Sequence, residues 1–285
     1  MLKLVQKDKY ESISQLELFK SLNEYLFLNI YPILNQSFSG QIWVDNFDNP
    51  QVSYIYDSRK AHFLIGKVIE NREALSEFVK TQVYPIIKKS TNGSTFIYST
   101  NWDSVNEFGK FDIFNQSFVI PRKLFKFNTY NASNFDSLLS KESKKFKLVE
   151  VSKEILDMDL KNTIGLKEEL KYMWDNIDNF FKFGFGVCAI TGDSLAGWCL
   201  GEYFSEMNQH SEKKIFGIGI ETYPEFQKKG IATAMTCSLV KKGLGKGYTI
   251  YWDCSADNSA SIRTALKSGF ELLDEYRIIF VPPSQ

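Results

Sequence analysis

Hydrophobic residues recur along the chain with two different spacings, and these predict alternating helices and strands. In the first half, apolar residues three and four positions apart predict a helix over 14–35. Short apolar runs between Asn-, Asp-, Pro- and Ser-containing turns predict strands at 41–45, 51–56 and 62–68. The other elements predicted here are a helix at 72–89 with Asn71 as its N-cap, a strand at 94–99, a short helix at 102–108 and an extended segment at 118–127.

A stretch rich in Asn, Ser and Lys at 128–145 predicts a linker, and a second series of elements follows it. The Gly192-Asp193 pair predicts a hairpin turn between two strands, and Gly269 predicts the end of a helix. The strands are predicted at 146–151, 185–191, 195–204, 215–220, 248–254 and 270–281, and the helical segments at 153–159, 167–176, 231–242 and 258–267, with an aromatic-rich segment at 178–183. The order β, α, α, β, β, β, α, β, α, β predicts an α/β fold with a mixed sheet.

The stretch 214–236 combines a strand, a turn and the start of a helix in an arrangement that suits anion binding. The first N–H groups of a helix have no partner within the helix, and the helix dipole places partial positive charge there. Gly230 and Ala232 are small enough to let a ligand approach these amides, and Lys228 and Lys229 add positive charge. The stretch therefore predicts a cradle for a pyrophosphate.

The residues Gln227-x-x-Gly230-x-Ala232 resemble the acetyl-CoA signature of the GCN5-related N-acetyltransferases (GNAT), which reads Gln/Arg-x-x-Gly-x-Gly/Ala. The element order of 146–281 is also that of the family, with the turn after the fourth strand. Within it, 217–270 is similar to the bacterial subgroup of zwittermicin A resistance-type proteins. The resemblance implies a GNAT fold for 146–285 and acetyl-CoA as cofactor. The activity that it implies is transfer of an acetyl group to a small-molecule amine by direct attack.

The resemblance also implies which residues bind acetyl-CoA. Asn258 stands where a family asparagine commonly contacts the pantetheine arm, although the same residue is equally suited to be a helix N-cap. The full predicted set is Ile220, Glu221, Thr222, Gln227, Lys228, Lys229, Gly230, Ile231, Ala232, Thr233, Asn258 and Ser261.

The predicted catalytic residues are Glu221, Asp253 and Tyr276. Glu221 ends the fourth strand, where a carboxylate deprotonates an amine or is merely solvated, and Asp253 is the competing carboxylate. The tyrosine that protonates the leaving thiolate in many family members is replaced by Ala265. Either the thiolate leaves unassisted, or Tyr276 or Cys254 supplies the proton, or the protein is slow or inactive. No metal site is predicted.

The chain is predicted to divide into domains at 1–145 and 146–285. The first half has the order α, β, β, β, α, β, α, β, which favours a degenerate GNAT-like copy over an unrelated α+β domain. It lacks the signature, and its corresponding turn at 66–71 contains Glu70, a carboxylate that would repel a pyrophosphate. We therefore expect it to bind no CoA and to form a wall of the acceptor site.

Composition narrows the choice of function. The formal net charge of zero gives no global attraction to nucleic acid or an anionic membrane. Four cysteines without C-x-x-C spacing, and an N-terminus without a secretion signal, predict a cytoplasmic protein. Two functional alternatives remain. One is an acyl-CoA-binding protein that has lost catalysis, and the other is an aminoacyl-tRNA-dependent transferase. The intact Gln-Lys-Lys-Gly turn and the neutral net charge make the transferase the weaker alternative. The oligomeric state stays open between monomer and homodimer.

Overall fold

A computed structural model of the chain describes residues 2–58, 61–66, 77–89, 95–100, 117–135, 146–174, 176–202 and 214–282. The chain forms two compact units: Met1–Arg122 with Tyr276–Gln285, and Lys123–Glu275. The division falls at 122/123 and 275/276 and differs from the predicted boundary after residue 145. Two long strands, Phe118–Phe127 and Phe270–Val281, explain the difference, because each contributes residues to both units.

The N-terminal unit contains a sheet between helices. Its helices are α1 (Tyr10–Ser14), α2 (Glu17–Lys20), α3 (Glu24–Leu34) and α4 (Tyr84–Lys89), the last preceded by a π-helical turn at Val79–Val83. Its strands are β1 (Lys3–Leu4), β2 (Gly40–Val44), β3 (Val52–Asp57), β4 (Ala61–Gly66) and β5 (Thr95–Ser99). They pair in this order and are antiparallel except for β4 and β5, which are parallel.

The prediction of one helix over 14–35 is wrong, since three short helices cover residues 10–34. The last of these begins at a cap, because the Asn23 side chain accepts the N–H of Leu26 at 2.8 Å. The predicted strands at 41–45, 51–56, 62–68 and 94–99 are confirmed within two residues. The predicted helix at 102–108 and the predicted cap Asn71 lie outside the described residues.

The two faces of the N-terminal sheet bury different side chains, because successive side chains along a strand point to opposite faces. Ile42, Ile55 and Phe63 pack with Ile30 and Ile33 of α3. On the other face, Trp43, Tyr54 and Leu64 form a cluster that includes Phe78 and Ile87.

From Lys147 onward, the described residues of the C-terminal unit have the predicted element order except for one additional α-helix, at Ile177–Phe183, where the sequence predicted only an aromatic-rich segment. Its strands are β6 (Phe118–Phe127), β7 (Lys147–Glu150), β8 (Gly186–Thr191), β9 (Ser194–Glu202), β10 (Ile215–Thr222), β11 (Thr249–Ser255) and β12 (Phe270–Val281), of which β6 and β12 are shared with the N-terminal unit. Its helices are α5 (Lys153–Asp157), α6 (Thr163–Trp174), α7 (Ile177–Phe183), α8 (Ile231–Gly245) and α9 (Ser259–Lys267). The predicted mixed α/β fold is confirmed.

The sheet of this unit runs in the order β7-β8-β9-β10-β11-β6-β12. Strands β7 to β10 are antiparallel neighbours, whereas β10 and β11 are parallel with Gly217 opposite Tyr251. Strand β6 lies between β11 and β12, although its residues precede the predicted linker. Of that linker, Thr129–Asn134 form a 3-10 helix and 136–145 lie outside the described residues.

Helix α8 lies close against this sheet. Gly243 is in such close contact with Phe216 of β10 that an added Cβ would come within 2.6 Å of the ring. Ile231, Met235 and Leu239 of the helix are buried. The last turn of α8 is thereby held against the start of β10, and the helix begins just after the turn that follows the end of β10. None of the helices that the structure describes combines the length and hydrophobicity that a membrane span requires.

Candidate functional site

The segment between β10 and α8 is held in a sharp turn by its backbone and by one side chain. The Gln227 amide donates a hydrogen bond of 3.0 Å to the carbonyl of Thr222 and so ties the turn to the end of β10. Lys228 and Gly230 both have left-handed backbone conformations, with φ of 60° and 80°. Such a conformation costs a lysine on the order of 1 kcal/mol, whereas glycine adopts it readily.

Helix α8 begins directly after this turn with its first amides uncapped by any side chain. Gly230 is the N-cap and has no side chain to offer, and the first turn contains no acidic residue. The carbonyl of Gly230 accepts the N–H of Ala234 at 3.0 Å, which leaves the earlier N–H groups without an acceptor within the helix. These groups and the helix dipole together favour an anion.

A cleft of about 570 Å³ opens beside this helix end. Its walls come from β10, the turn, the start of α8 and one side of α9. Of the residues predicted to bind acetyl-CoA, all but Lys229 line it: Ile220, Glu221, Thr222, Gln227, Lys228, Gly230, Ile231, Ala232, Thr233, Asn258 and Ser261. Within the described part of the chain, the buried hydroxyl of Thr222 has no hydrogen-bond partner. A buried polar group of this kind suits a polar ligand.

Lys229 stabilises the turn from outside the cleft lining. Its ammonium donates a hydrogen bond of 2.7 Å to the carbonyl of Glu225 and lies 5.3 Å from the centre of the Phe226 ring. Of the two adjacent lysines, only Lys228 lines the cleft.

Asn258 caps helix α9, as one of its two interpretations predicted. Its side-chain oxygen accepts the N–H of Ser261 at 3.0 Å, and both residues line the cleft. The cap uses only the oxygen of the side-chain amide, so contact of its NH₂ group with a ligand remains compatible with this role.

Ser261 also accepts a hydrogen bond from the indole of Trp252, with 2.9 Å between Nε1 and Oγ. Trp252 belongs to β11, is only 1% exposed and lines the cleft. The sequence analysis missed its contribution, as it did those of Thr264, Arg263 and Lys267 of α9. Of these three, Thr264 was signalled by the sequence, because it stands three residues after Ser261 and residues three or four positions apart share a helix face.

Glu221 is exposed at the end of β10 and has a second carboxylate near it. Burial, and then the negative charge of Glu221, raise the pKa of Glu169 on α6. The pKa of Tyr223 is raised in the same way, first by burial and then by Glu221. The Tyr223 hydroxyl donates a hydrogen bond of 2.9 Å to the carbonyl of Asn162 and so connects the start of α6 with the turn. No sequence pattern predicts that Glu169 lies near Glu221.

The other predicted catalytic residues lie elsewhere. Neither Asp253 nor Tyr276 is among the described residues that line the cleft, and Tyr276 belongs to the N-terminal unit, where its ring centre lies 6.5 Å from that of Tyr98. Cys254 is buried and forms no disulfide bond. Ala265 is fully buried, so the position of the usual tyrosine faces the protein interior.

Comparison with known proteins points to one family over almost the whole chain. Residues 17–279 match the sequence model of a family described as GNAT acetyltransferase. The chain is 24% identical over 280 residues to YdfB of Bacillus subtilis (strain 168), an uncharacterized N-acetyltransferase, with 98% of each chain covered. The match therefore extends well beyond residues 146–281, where the signature resemblance was found.

Solved structures show the same fold. A GCN5-related N-acetyltransferase-like protein from Streptococcus suis 89/1591 aligns with a TM-score of 0.67 at 17% identity, covering 95% of this chain and 98% of that protein. A tandem GNAT protein from the clavulanic acid biosynthesis pathway aligns with a TM-score of 0.58 at 9% identity over 100% of both chains. At these identities the likeness concerns the fold alone.

Proposed function

This chain belongs to the GNAT acetyltransferase family, and we propose that it transfers an acetyl group from acetyl-CoA to the amino group of a small molecule. When bound, acetyl-CoA supplies an acetyl group activated as a thioester, and transfer to an amine leaves CoA as a thiol. The similarity of 217–270 to zwittermicin A resistance-type acetyltransferases supports a small-molecule acceptor.

One observation carries the proposal: the uncapped N-terminus of α8 lies on a cleft whose walls contain the signature residues. The amides at 231–233 and the Lys228 ammonium would hold the diphosphate of CoA, because both favour negative charge. The unpartnered hydroxyl of Thr222 and the side chain of Asn258 are available to the polar groups of the pantetheine arm. The residues present therefore fit the cofactor.

We assign proton removal from the acceptor amine to Glu221. An alkylamine is mostly protonated near neutral pH and must lose a proton to attack a thioester. Glu221 is accessible and lines the cleft, and burial followed by the negative charge of Glu221 raises the pKa of Glu169. The negative charge of Glu221 also attracts a cationic amine.

We assign stabilisation of the leaving thiolate to Ser261, since Ala265 has no proton to donate. The described residues provide no acceptor for the hydroxyl proton of Ser261, whereas its oxygen already accepts the Trp252 N–H. A hydroxyl that accepts a hydrogen bond becomes a better donor. A helical side chain points toward the N-terminus of its helix, so a tyrosine at 265 would extend toward residue 261. Ser261 thus places a hydroxyl in the direction in which the side chain of a tyrosine at 265 would extend.

We further propose that the N-terminal unit is a degenerate copy that takes no CoA and contributes to acceptor binding. Its element series and its lack of the signature support this idea, as does the whole-chain alignment with a tandem GNAT protein. Residues 67–71 of the turn that corresponds to the signature lie outside the described residues.

The experiment that tests the proposed activity is an assay of the purified chain with acetyl-CoA and a panel of small-molecule amines. Release of thiol and formation of the acetylated amine in equal amounts support it. The buried Ala265 favours the second candidate, an acyl-CoA-binding protein without transfer activity. Tight CoA binding with no product from any amine would establish that candidate instead.

A further inference from the structure

Positive charge lines the cleft at two separate places. Lys228 lies at the turn before α8, whereas Arg263 and Lys267 come from α9. Among the described residues that line the cleft, Glu221 is the one carboxylate. The cleft is therefore suited to a ligand with more than one anionic group.

The two cations of α9 are four residues apart, so they lie on the same face of the helix. Like charges at this spacing repel each other, and an anion between them removes the repulsion. Lys267 lies in the last turn, where the helix dipole favours a cation, but Arg263 is one turn earlier and has less to gain from the dipole. The pair is thus suited to a shared anionic ligand.

We propose that Arg263 and Lys267 bind the 3′-phosphate of CoA and make the protein select CoA over dephospho-CoA. This inference rests on the proposed function. CoA has a diphosphate and, separately, a phosphate monoester on the ribose. The α8 amides and Lys228 would bind the diphosphate, and Arg263 and Lys267 of α9 would bind the phosphate monoester.

The chemistry of the pair fits a phosphate monoester. Such a group carries nearly two negative charges near neutral pH and presents three acceptor oxygens. The guanidinium of Arg263 offers paired N–H donors that match two of these oxygens, and the Lys267 ammonium adds a point charge. Both side chains are exposed, so the phosphate remains partly in water and the selectivity is of moderate size.

The test is calorimetric titration of the full chain with CoA and with dephospho-CoA. We expect the wild type to bind CoA about tenfold more tightly. Arg263→Ala and Lys267→Ala should each weaken CoA binding several-fold and leave dephospho-CoA binding unchanged, and the double variant should bind both ligands equally. Lys246→Ala is the matched control: it removes the same charge from an exposed lysine whose ammonium lies 5.7 Å from the Phe185 ring centre and does not line the cleft. It should keep the wild-type preference.

Equal binding of the two ligands by the wild type would overturn this inference and leave the proposed function intact. An equal loss of affinity for both ligands in the α9 variants would also overturn it, because Arg263 and Lys267 would then contact a group that both ligands have. Failure of both ligands to bind the wild type would overturn the proposed function and this inference together.

Discussion

The indole nitrogen of Trp252 and the hydroxyl oxygen of Ser261 lie 2.9 Å apart, and the hydrogen bond between them connects β11 to α9 at the wall of the cleft. Trp252 is almost completely buried and fixes the orientation of the Ser261 side chain. Ser261 stands one helical turn before Ala265, where many members of the family have a tyrosine.

Replacing Ser261 with alanine should lower kcat by on the order of tenfold to a hundredfold, because the leaving thiolate loses its hydrogen-bond donor. The KM for acetyl-CoA should change little. Ser261→Thr keeps a hydroxyl and should retain most of the activity, and Trp252→Phe should give an intermediate rate because the serine remains without its polarising partner. Steady-state kinetics of thiol release measure all three. An unchanged kcat in Ser261→Ala would remove Ser261 from the mechanism.

Replacing Glu221 with glutamine should lower kcat/KM for the amine by about a hundredfold and leave CoA affinity unchanged, because only proton transfer loses its base. The same change should lower the pKa of Glu169, since burial then remains as its main cause while the neighbouring negative charge is gone. NMR titration of the Glu169 carboxyl carbon reports the second effect. A normal rate together with a lowered Glu169 pKa would show that the carboxylates interact without Glu221 being the base.

Acid should destabilise the N-terminal unit through His62. This residue is fully buried with its Nδ1 2.6 Å from the Tyr54 hydroxyl, and burial lowers its pKa to about 3. The unfolded chain takes up a proton near the ordinary histidine pKa of about 6.5, whereas the folded chain does so only near pH 3. The contribution of His62 to the free energy of unfolding is therefore fully present above pH 6.5 and falls by about 1.4 kcal/mol per pH unit between these values.

Urea unfolding of wild type and His62→Gln at several pH values checks this effect. The glutamine keeps a hydrogen-bonding group beside Tyr54 but does not titrate. Its free energy of unfolding should fall less steeply between pH 6.5 and pH 4 than that of the wild type. Parallel curves would show that His62 is not the group responsible.

Local signals in the sequence accounted for much of the C-terminal unit. The Gly192 turn, with φ of 60°, the Gly269 helix stop, with φ of 90°, and the Asn258 cap each depend on residues next to one another in the chain. Strand–turn–helix order likewise brought the predicted cofactor-binding residues between Ile220 and Thr233 to one cleft, apart from Lys229. The ammonium of Lys229 donates instead to the carbonyl of Glu225, a contact that no sequence pattern specifies.

Long-range pairing was not predictable in the same way. The sequence predicted β6 as an extended segment but not its position between β11 and β12, because the residue pattern of a strand does not determine which strands it pairs with. The approach of Glu169 to Glu221 depends on how α6 packs on the sheet, and the boundary between the units depends on both shared strands.

Binding of acetyl-CoA at the start of α8 is tested most directly by calorimetric titration of the full chain and of two variants at Ala232. Ala232→Glu places a carboxylate in the first turn of α8, which stabilises the helix by about 0.3–1 kcal/mol but repels a diphosphate. Ala232→Gln adds the same bulk without charge.

We expect the wild type to bind one acetyl-CoA per chain. Ala232→Glu should bind at least about tenfold more weakly than Ala232→Gln while keeping a thermal stability equal to or above that of the wild type. No binding by the wild type, a second acetyl-CoA bound per chain, or equal affinities of the two variants would contradict a single site at the uncapped end of α8.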